Sequence, residues 1–250
     1  MRTQPRDSNG VAVYRHEALA VVLQVRTHPD DQCENPISAL DTPRPACLQV
    51  LVARRSHPPF QGMYALPSGP LEAEETLGAS AFRHLSQKMD IDALSYMEQI
   101  GTRSDARRDP SQRTVATAYL GLVPAGINTA LPAHARWISL NQLPEMAYDH
   151  ADIIGEGADR LRAKLSYTNI AFALAPPDFT IAELTNIYRA ALGREVSPTN
   201  LQRVLSRRGQ LSPTGQQERP GSKGGRPARR YRFTKQTLQV TDPFAILRPS

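Results

Sequence analysis

The chain of 250 residues is poor in cysteine and aromatic residues, with two cysteines, one tryptophan and 6% Phe, Trp and Tyr. Two cysteines are too few for a framework of disulfides, and Cys33 and Cys47 lack the CxxC spacing of a zinc site. We therefore expect reduced thiols. The sequence has no apolar run of transmembrane length, and residues 1–10 lack the apolar core of a signal peptide. These absences predict a cytoplasmic protein with no membrane partner.

Positive charge is present but unevenly distributed. Residues 170–250 contain 13 Lys and Arg against 5 Asp and Glu, a net charge of +8. The remaining 17 basic and 19 acidic residues give residues 1–169 a net charge of −2. A basic domain on a nearly neutral body is typical of a nucleic-acid-binding protein. We therefore expect a DNA-binding region in the last third of the chain.

The stretch from 63 to 91, MYALPSGPLEAEETLGASAFRHLSQKMDI, has regularly spaced residues. Glu75 follows Gly69 by six positions, Arg83 follows eight later, and the aliphatic residues Leu85 and Ile91 come after it. This spacing resembles the Nudix box, G-x5-E-x7-R-E-U-x-E-E-x-G-U, where U is aliphatic. The resemblance implies an α/β/α sandwich that accommodates a nucleoside diphosphate linked to another group, with Glu75 and Arg83 forming a structural pair.

The second half of the box departs from the Nudix pattern, because His84, Gln87 and Lys88 stand where the family has glutamates. We predict a helix that begins at Arg83, which places these three residues on one face. Mg²⁺ requires oxygen ligands, mostly carboxylates and water. Three carboxylates would contribute a charge of −3, whereas these residues contribute +1. The face is therefore predicted to hold Mg²⁺ poorly, although it can still hold an anion.

A displaced metal site in the loop before the helix is an alternative. Glu72, Glu74 and Glu75 lie there, but the resemblance pairs Glu75 with Arg83, which leaves two carboxylates free. The sequence therefore favours a domain without catalytic residues or a metal ion over one with a displaced metal site.

Apolar, β-branched runs at 18–25, 47–53 and 114–122 predict strands, and periodic apolar residues predict a helix over 148–167. The stretch 28–46 is a long connection. Arginines follow the second strand and precede the third, and the planar guanidinium fits phosphate oxygens. Together with box positions, they form the predicted ligand site: Arg54, Arg55, Gly69, Arg83, Gln87, Arg108 and Arg113.

The last third of the chain predicts a winged helix-turn-helix. Thr180 and Glu183 form a capping box, Gly193 ends that helix, and Ser197-Pro198 opens a second helix. Apolar residues occupy one side of the second helix and Asn and Arg the other, as in a recognition helix. A polar stretch with Gly-Arg-Pro follows, as in a wing. The predicted DNA-binding residues are Thr199, Asn200, Arg203, Arg207, Lys223, Arg226, Arg229 and Arg230.

Together the two halves resemble the Nudix-related transcriptional regulators of NAD metabolism, on RRDPSQRTVATAYLGLVP, DHADII, RLRAKLSY, FTIAELTNIYRAALG and GGRPARRYRF. The resemblance implies a homodimeric repressor of NAD biosynthesis or salvage genes. It would bind a pseudo-palindromic DNA operator, respond to ADP-ribose or NAD as effector and require no cofactor. We expect a flexible arm (1–16), a Nudix-like ligand-sensing and dimerisation domain (17–168), a winged helix-turn-helix (169–236) and a tail (237–250).

Two other functions remain open from the sequence. The first is a Mg²⁺-dependent pyrophosphohydrolase of ADP-ribose or a similar dinucleotide with an accessory nucleic-acid-binding domain. The second is a DNA-binding scaffold with an empty Nudix core. Turnover in the presence of Mg²⁺ would distinguish the pyrophosphohydrolase from a repressor. Thermal stabilisation of the first domain by a nucleotide would rule out the scaffold.

Overall fold

The computed structural model describes residues 5–27, 46–89, 93–128, 130–218 and 227–242. By their contacts the residues form two compact units. The first contains Met1–Leu23, Val50–Gly121 and Asn128–Gly157. The second contains Gln24–Gln49, Leu122–Ile127 and Ala158–Ser250. The predicted connection over 28–46 lies almost wholly outside the described residues.

Within the described residues, seven strands form one sheet. They are β1 (Arg15–Thr27), β2 (Ala46–Arg54), β3 (Tyr64–Ala65), β4 (Ser68–Pro70), β5 (Tyr96–Arg103), β6 (Thr114–Val123) and β7 (Ala135–Ser139). The main order is β3-β2-β1-β6-β5, while β4 pairs with β1 and β7 pairs with β2. The three predicted strands are confirmed as β1, β2 and β6, which form the buried centre of the sheet. No sequence pattern indicated β3, β4 or β5.

Two helices cover opposite faces of this sheet. Ala81 of α1 (Leu77–Met89) packs in a cluster with Ala18 of β1. Gly157 of α2 (His150–Tyr167) lies against Val21, since a Cβ added there would come 2.8 Å from the Val21 side chain. Ala18 and Val21 are three positions apart on one strand and therefore face opposite sides. The α/β/α sandwich follows from this arrangement.

The start of α1 differs from the prediction. The helix begins at Leu77, six residues before Arg83. The side chain of Thr76 explains the earlier start, because its Oγ1 accepts a hydrogen bond from the Ala79 N–H at 3.2 Å. Gly78 and the small residues Ala79, Ser80 and Ala81 form no apolar helical pattern, so the sequence did not indicate this cap.

In the second unit the described residues form the predicted winged helix-turn-helix. Its elements are β8 (Phe179–Thr180), α3 (Ile181–Leu192), α4 (Pro198–Arg207), β9 (Leu211–Glu218) and β10 (Ala228–Phe233), with the sheet order β8-β10-β9. The capping box of Thr180 and Glu183, the left-handed Gly193 (φ 66°) and the Ser197 N-cap are confirmed. Short helices occupy Leu140–Gln142 and Ile170–Ala173. Among the described residues, no helix is both long and apolar enough to cross a membrane.

The prediction of reduced cysteines is wrong at Cys47, because its sulfur takes part in a disulfide. Cys47 lies near the start of β2 with only 8% of its surface exposed. Cys33 lies outside the described residues. A count and a spacing of cysteines do not tell whether two sulfurs lie within bonding distance, so composition alone misled the prediction.

Candidate functional site

The Nudix box keeps its structural ion pair. The Arg83 guanidinium donates to both carboxylate oxygens of Glu75, with Nε to Oε2 at 2.9 Å. A second contact joins the same guanidinium to the Pro70 carbonyl at 3.1 Å. Chiefly through the hydrogen bond from Arg83, the pKa of Glu75 is lowered to about 2. Both charged groups are therefore paired with each other, as the resemblance implied.

His84 fills the space beside Gly69. The imidazole is 4% exposed and its Nε2 lies 2.9 Å from the Pro70 carbonyl oxygen. A Cβ added to Gly69 would lie 2.0 Å from the His84 ring, so the glycine is required by this close approach. His84 is therefore part of the packing between α1 and β4.

Of the other altered box positions, Gln87 lines none of the cavities found among the described residues. Gln87 is exposed on α1, and the side chain of Lys88 lies outside the described residues. Glu72 and Glu74 are exposed in the preceding loop. In the part of the chain that the structure describes, no group of three or more His, Cys, Asp or Glu residues lies close enough to hold a metal ion.

Arg108 is buried and neutralised by carboxylates. Its side chain is 1% exposed, and its guanidinium contacts Asp149 through Nε at 3.2 Å and Nη2 at 2.8 Å. Nη1 donates to Glu17 at 3.1 Å. Burial raises the pKa of Asp149, but the hydrogen bonds and charge of Arg108 outweigh it and hold that pKa below its usual value. Among the predicted phosphate ligands, Arg108 is therefore held in a buried ion-pair network with two carboxylates.

His150 adjoins this network and is kept neutral. Its Nδ1 accepts a hydrogen bond from the Leu66 N–H at 3.0 Å, and the ring is 1% exposed. Burial, reinforced by the charge of Arg108, lowers the pKa of His150 to about 3. The ring therefore carries its proton on Nε2 at neutral pH. This histidine anchors the start of α2 to the chain after β3.

Arg55 lies at the junction of two cavities. One, of about 340 Å³, is lined by residues that include Arg54, Arg55, His57, Ser68 and His134. The other, of about 230 Å³, also contains Arg55 and Ser68. Its remaining lining residues include Arg15, Glu17, Ser111, Gln112 and Tyr148. The two cavities thus share a guanidinium and a hydroxyl group.

The guanidinium of Arg55 is positioned without a carboxylate. Its Nε donates to the Pro59 carbonyl at 2.8 Å, and its Cζ lies 4.9 Å from the centre of the Tyr148 ring. Phe60 meets the same ring edge to face at 4.9 Å between centroids. Among the described residues no carboxylate lies within 4 Å of this guanidinium, so its positive charge is available to an anion.

Among the described residues, Arg54 and Arg113 also have no carboxylate partner, but they are differently placed. Arg54 lines the larger cavity and donates from Nε to the Gly62 carbonyl at 2.8 Å. Arg113 donates to the carbonyls of Ser104 and Asp105 at 2.9 and 3.0 Å. The structure therefore brings Arg54 and Arg55 together, whereas Gly69, Arg83, Gln87 and Arg113 line neither cavity. Sequence reasoning missed Tyr148, although its position directly before Asp149 and His150 was visible.

The recognition helix presents polar residues to solvent. Thr199, Asn200, Arg203 and Arg207 are exposed on α4, while Leu201 and Leu205 are buried behind them. The Asn200 Oδ1 accepts a hydrogen bond from the Arg203 Nη2 at 2.7 Å. This contact orients the guanidinium before any partner is bound.

Arg229 and Arg230, which are adjacent on β10, have different surroundings. Arg229 is exposed, whereas Arg230 donates from Nη2 to the Asp178 carbonyl at 2.6 Å. Successive residues of a strand face opposite sides, so the two cannot share one surface. Lys223 and Arg226 lie outside the described residues.

A sandwich of the Nudix type followed by an exposed recognition helix and a wing defines a DNA-binding protein that carries a Nudix domain. Family models agree with this division: a NUDIX domain matches residues 42–156, and an NrtR DNA-binding winged helix domain matches residues 171–233. The chain is 34% identical over 203 residues to the ADPR responsive transcriptional repressor NtrR of Acinetobacter baylyi, covering 78% of this chain and 80% of that protein. The chain belongs to this NrtR family of Nudix-related transcriptional regulators.

A solved structure and a curated enzyme extend the comparison. Shewanella oneidensis NrtR in complex with a 27mer DNA matches with a TM-score of 0.69 at 26% identity, covering 87% of this chain and 93% of that one. An ADP-ribose pyrophosphatase of Methanocaldococcus jannaschii is 28% identical over 111 residues, which are 42% of this chain and 63% of the enzyme. The resemblance to the enzyme thus spans less of the chain than the resemblance to the repressor.

Proposed function

We propose that this protein is a cytoplasmic, homodimeric repressor of NAD biosynthesis or salvage genes that releases its operator when ADP-ribose or NAD binds. The observation that carries the proposal is the combination, in one chain, of an uncompensated arginine between two cavities and an exposed Asn/Arg recognition helix. The 34% identity to an ADPR responsive repressor supports it. We assign ligand sensing and dimerisation to residues 17–168 and DNA binding to residues 169–236.

The effector is expected to bind with its diphosphate at Arg55. A guanidinium forms charge-assisted hydrogen bonds with phosphate oxygens, and Ser68 lines both cavities at the same junction. The two cavities then receive the two halves of a dinucleotide-like ligand, one on each side of the diphosphate. Arg54 supports the charge in the larger cavity.

The effector acts on DNA binding by preferring the arrangement that fits the operator poorly. A coupling free energy of about 1.4 to 3 kcal/mol gives a tenfold or larger change in operator affinity. The recognition helices of a dimer must lie about 34 to 36 Å apart, or a multiple of this, to enter successive major grooves of a pseudo-palindromic site. A small ligand-induced change in this spacing is therefore sufficient to lower the affinity for the operator.

The proposal is tested by fluorescence anisotropy on DNA from upstream of NAD-biosynthesis genes and on scrambled DNA. ADP-ribose and NAD are each titrated at fixed salt. Specific binding that one nucleotide reverses identifies the effector. Binding that ignores both sequence and nucleotide contradicts the proposed repressor.

Replacing Arg55 with alanine is expected to raise the effector concentration needed for half-maximal DNA release by about tenfold, since one charge-assisted contact to the diphosphate is lost. Operator affinity without effector should stay unchanged. Arg107→Ala is the matched control, because Arg107 is exposed in the neighbouring loop and lines neither cavity. An unchanged effector response in Arg55→Ala would remove the diphosphate from this junction.

We further propose that the Nudix domain has no hydrolase activity. His84, Gln87 and Lys88 replace the box carboxylates, His84 is packed against Gly69, and Glu75 is neutralised by Arg83. With ADP-ribose and millimolar Mg²⁺, the release of AMP should stay at the level of buffer. Turnover above that level which Glu75→Gln abolishes would instead establish the pyrophosphohydrolase.

A further inference from the structure

A groove separates the recognition helix from the wing. It has a volume of about 520 Å³ and lies between Thr180–Ala182, Gln202 of α4 and a stretch of β10 that contains Arg229 and Tyr231. Among the described residues that line it, Arg229 carries the single formal charge and no carboxylate is present. The lining therefore favours an anion.

The geometry of duplex DNA indicates what passes through this groove. A major groove and the adjacent minor groove are separated by one sugar-phosphate backbone. A protein that places a helix in the first and a wing in the second must leave room for that backbone between the two elements. In this domain the space between α4 and the wing is the groove just described.

At the floor of the groove, a hydrogen bond that Tyr231 accepts leaves its own hydroxyl hydrogen to be donated. The Gln202 Nε2 donates to the Tyr231 Oη at 3.1 Å. Because the phenolic oxygen accepts this hydrogen bond, its own hydrogen is directed elsewhere. No acceptor within the described residues takes that hydrogen, and both side chains are half-buried. The same bond holds the base of the wing against the recognition helix.

An irregularity in the wing places Tyr231 and Arg229 together. Arg229 pairs with Gln217 and Tyr231 with Pro213, so β9 has two additional residues opposite this point. Gly215 accommodates them with a left-handed conformation (φ 80°). The two side chains are two positions apart on β10 and line the same groove.

We propose that this groove binds one DNA-backbone phosphate, with the hydroxyl of Tyr231, oriented by Gln202, as hydrogen-bond donor and Arg229 as counter-charge. The contact reads no base, so it contributes equally to all sequences and fixes how deeply the wing and the helix enter their grooves. Tyr231 and Gln202 are thereby assigned to the DNA interface. This assignment does not depend on the identity of the effector.

The test uses the full-length protein and the substitution Tyr231→Phe, which removes the hydroxyl and keeps the ring. Binding to a duplex enriched from random sequences by the wild-type protein, and to a scrambled duplex, should weaken by the same factor, about fivefold, as for one lost hydrogen bond. The slope of log K against log salt should not change, because no cation is lost. In contrast, Arg229→Ala should reduce that slope by about 1.

Single methylphosphonate linkages placed along the enriched duplex identify the phosphate. At one position the neutral linkage should weaken wild-type binding, and the effect should be largely lost in Tyr231→Phe. Gln202→Leu keeps the hydroxyl, and should therefore retain sensitivity at that position with a smaller loss of affinity. Tyr14→Phe, the same chemical change outside the groove, is the control.

Three results would overturn the proposal. They are unchanged affinity of Tyr231→Phe, a loss confined to the enriched duplex, and methylphosphonate effects that persist in full in that variant. If Tyr231→Phe lowers the melting temperature and the methylphosphonate effects persist, the residue has only a structural role.

Discussion

Replacing Arg108 with alanine is expected to lower the free energy of unfolding by about 3 kcal/mol, within the range for removing one partner of a buried ion pair. The guanidinium is the common partner of Glu17 and Asp149, whose side chains are 12% and 24% exposed. Without it, two carboxylates remain close together with little access to water. The midpoint of thermal unfolding should fall by about 6 to 12 °C.

The control for this prediction is Arg107→Ala, which removes an exposed arginine from the adjacent position and should leave the midpoint almost unchanged. A triple variant, Arg108→Met with Glu17→Gln and Asp149→Asn, should recover much of the loss because no buried charge is left unpaired. Equal stability of Arg108→Ala and wild type would show that the ion-pair network contributes nothing.

The loss of stability in Arg108→Ala should also depend on pH. Burial raises the pKa of Asp149, but Arg108 outweighs it and the folded-state value lies below the ordinary 3.8. A lowered pKa gives stability that is present above the unfolded-state value and disappears as pH falls through the folded-state value. The difference in the free energy of unfolding between wild type and Arg108→Ala should therefore be largest at neutral pH. It should become smaller below about pH 3.8.

Replacing Arg203 with alanine is expected to reduce discrimination between operator and scrambled DNA by about 1 to 3 kcal/mol, the range for a bidentate contact to guanine. The exposed guanidinium is already oriented by Asn200, so little conformational entropy is lost on binding. Arg229→Ala should instead weaken binding to both DNAs alike. Anisotropy titrations of both variants on both duplexes, at several salt concentrations, measure the distinction.

Two further variants test whether Arg203 is responsible for the discrimination between operator and scrambled DNA. Asn200→Ala removes the contact that orients Arg203 and should lose part of the same discrimination. Arg194→Ala is a control with equal charge change in the exposed turn before α4. If Arg203→Ala and Arg229→Ala give the same profile, the division between a base-reading helix and a backbone-contacting wing is wrong.

Local signals were sufficient for the winged helix. Thr180, Glu183, Gly193 and Ser197 act on the backbone within a few residues, so their roles follow from sequence. The predicted ligand site depends on contacts between distant residues and was only partly recovered. Arg108 finds its carboxylates 91 and 41 positions away along the chain, and no local pattern distinguishes it from Arg55.

The contact between His84 and Gly69 bears on how this chain could change in evolution. A glutamate at position 84 would direct a carboxylate at the Pro70 carbonyl oxygen, which now lies 2.9 Å from an imidazole nitrogen. Two acceptors facing each other repel, so a glutamate at position 84 would not reproduce the contact that the imidazole makes there. A carboxylate restored at this position would therefore have to leave the space beside Gly69 that the imidazole now occupies.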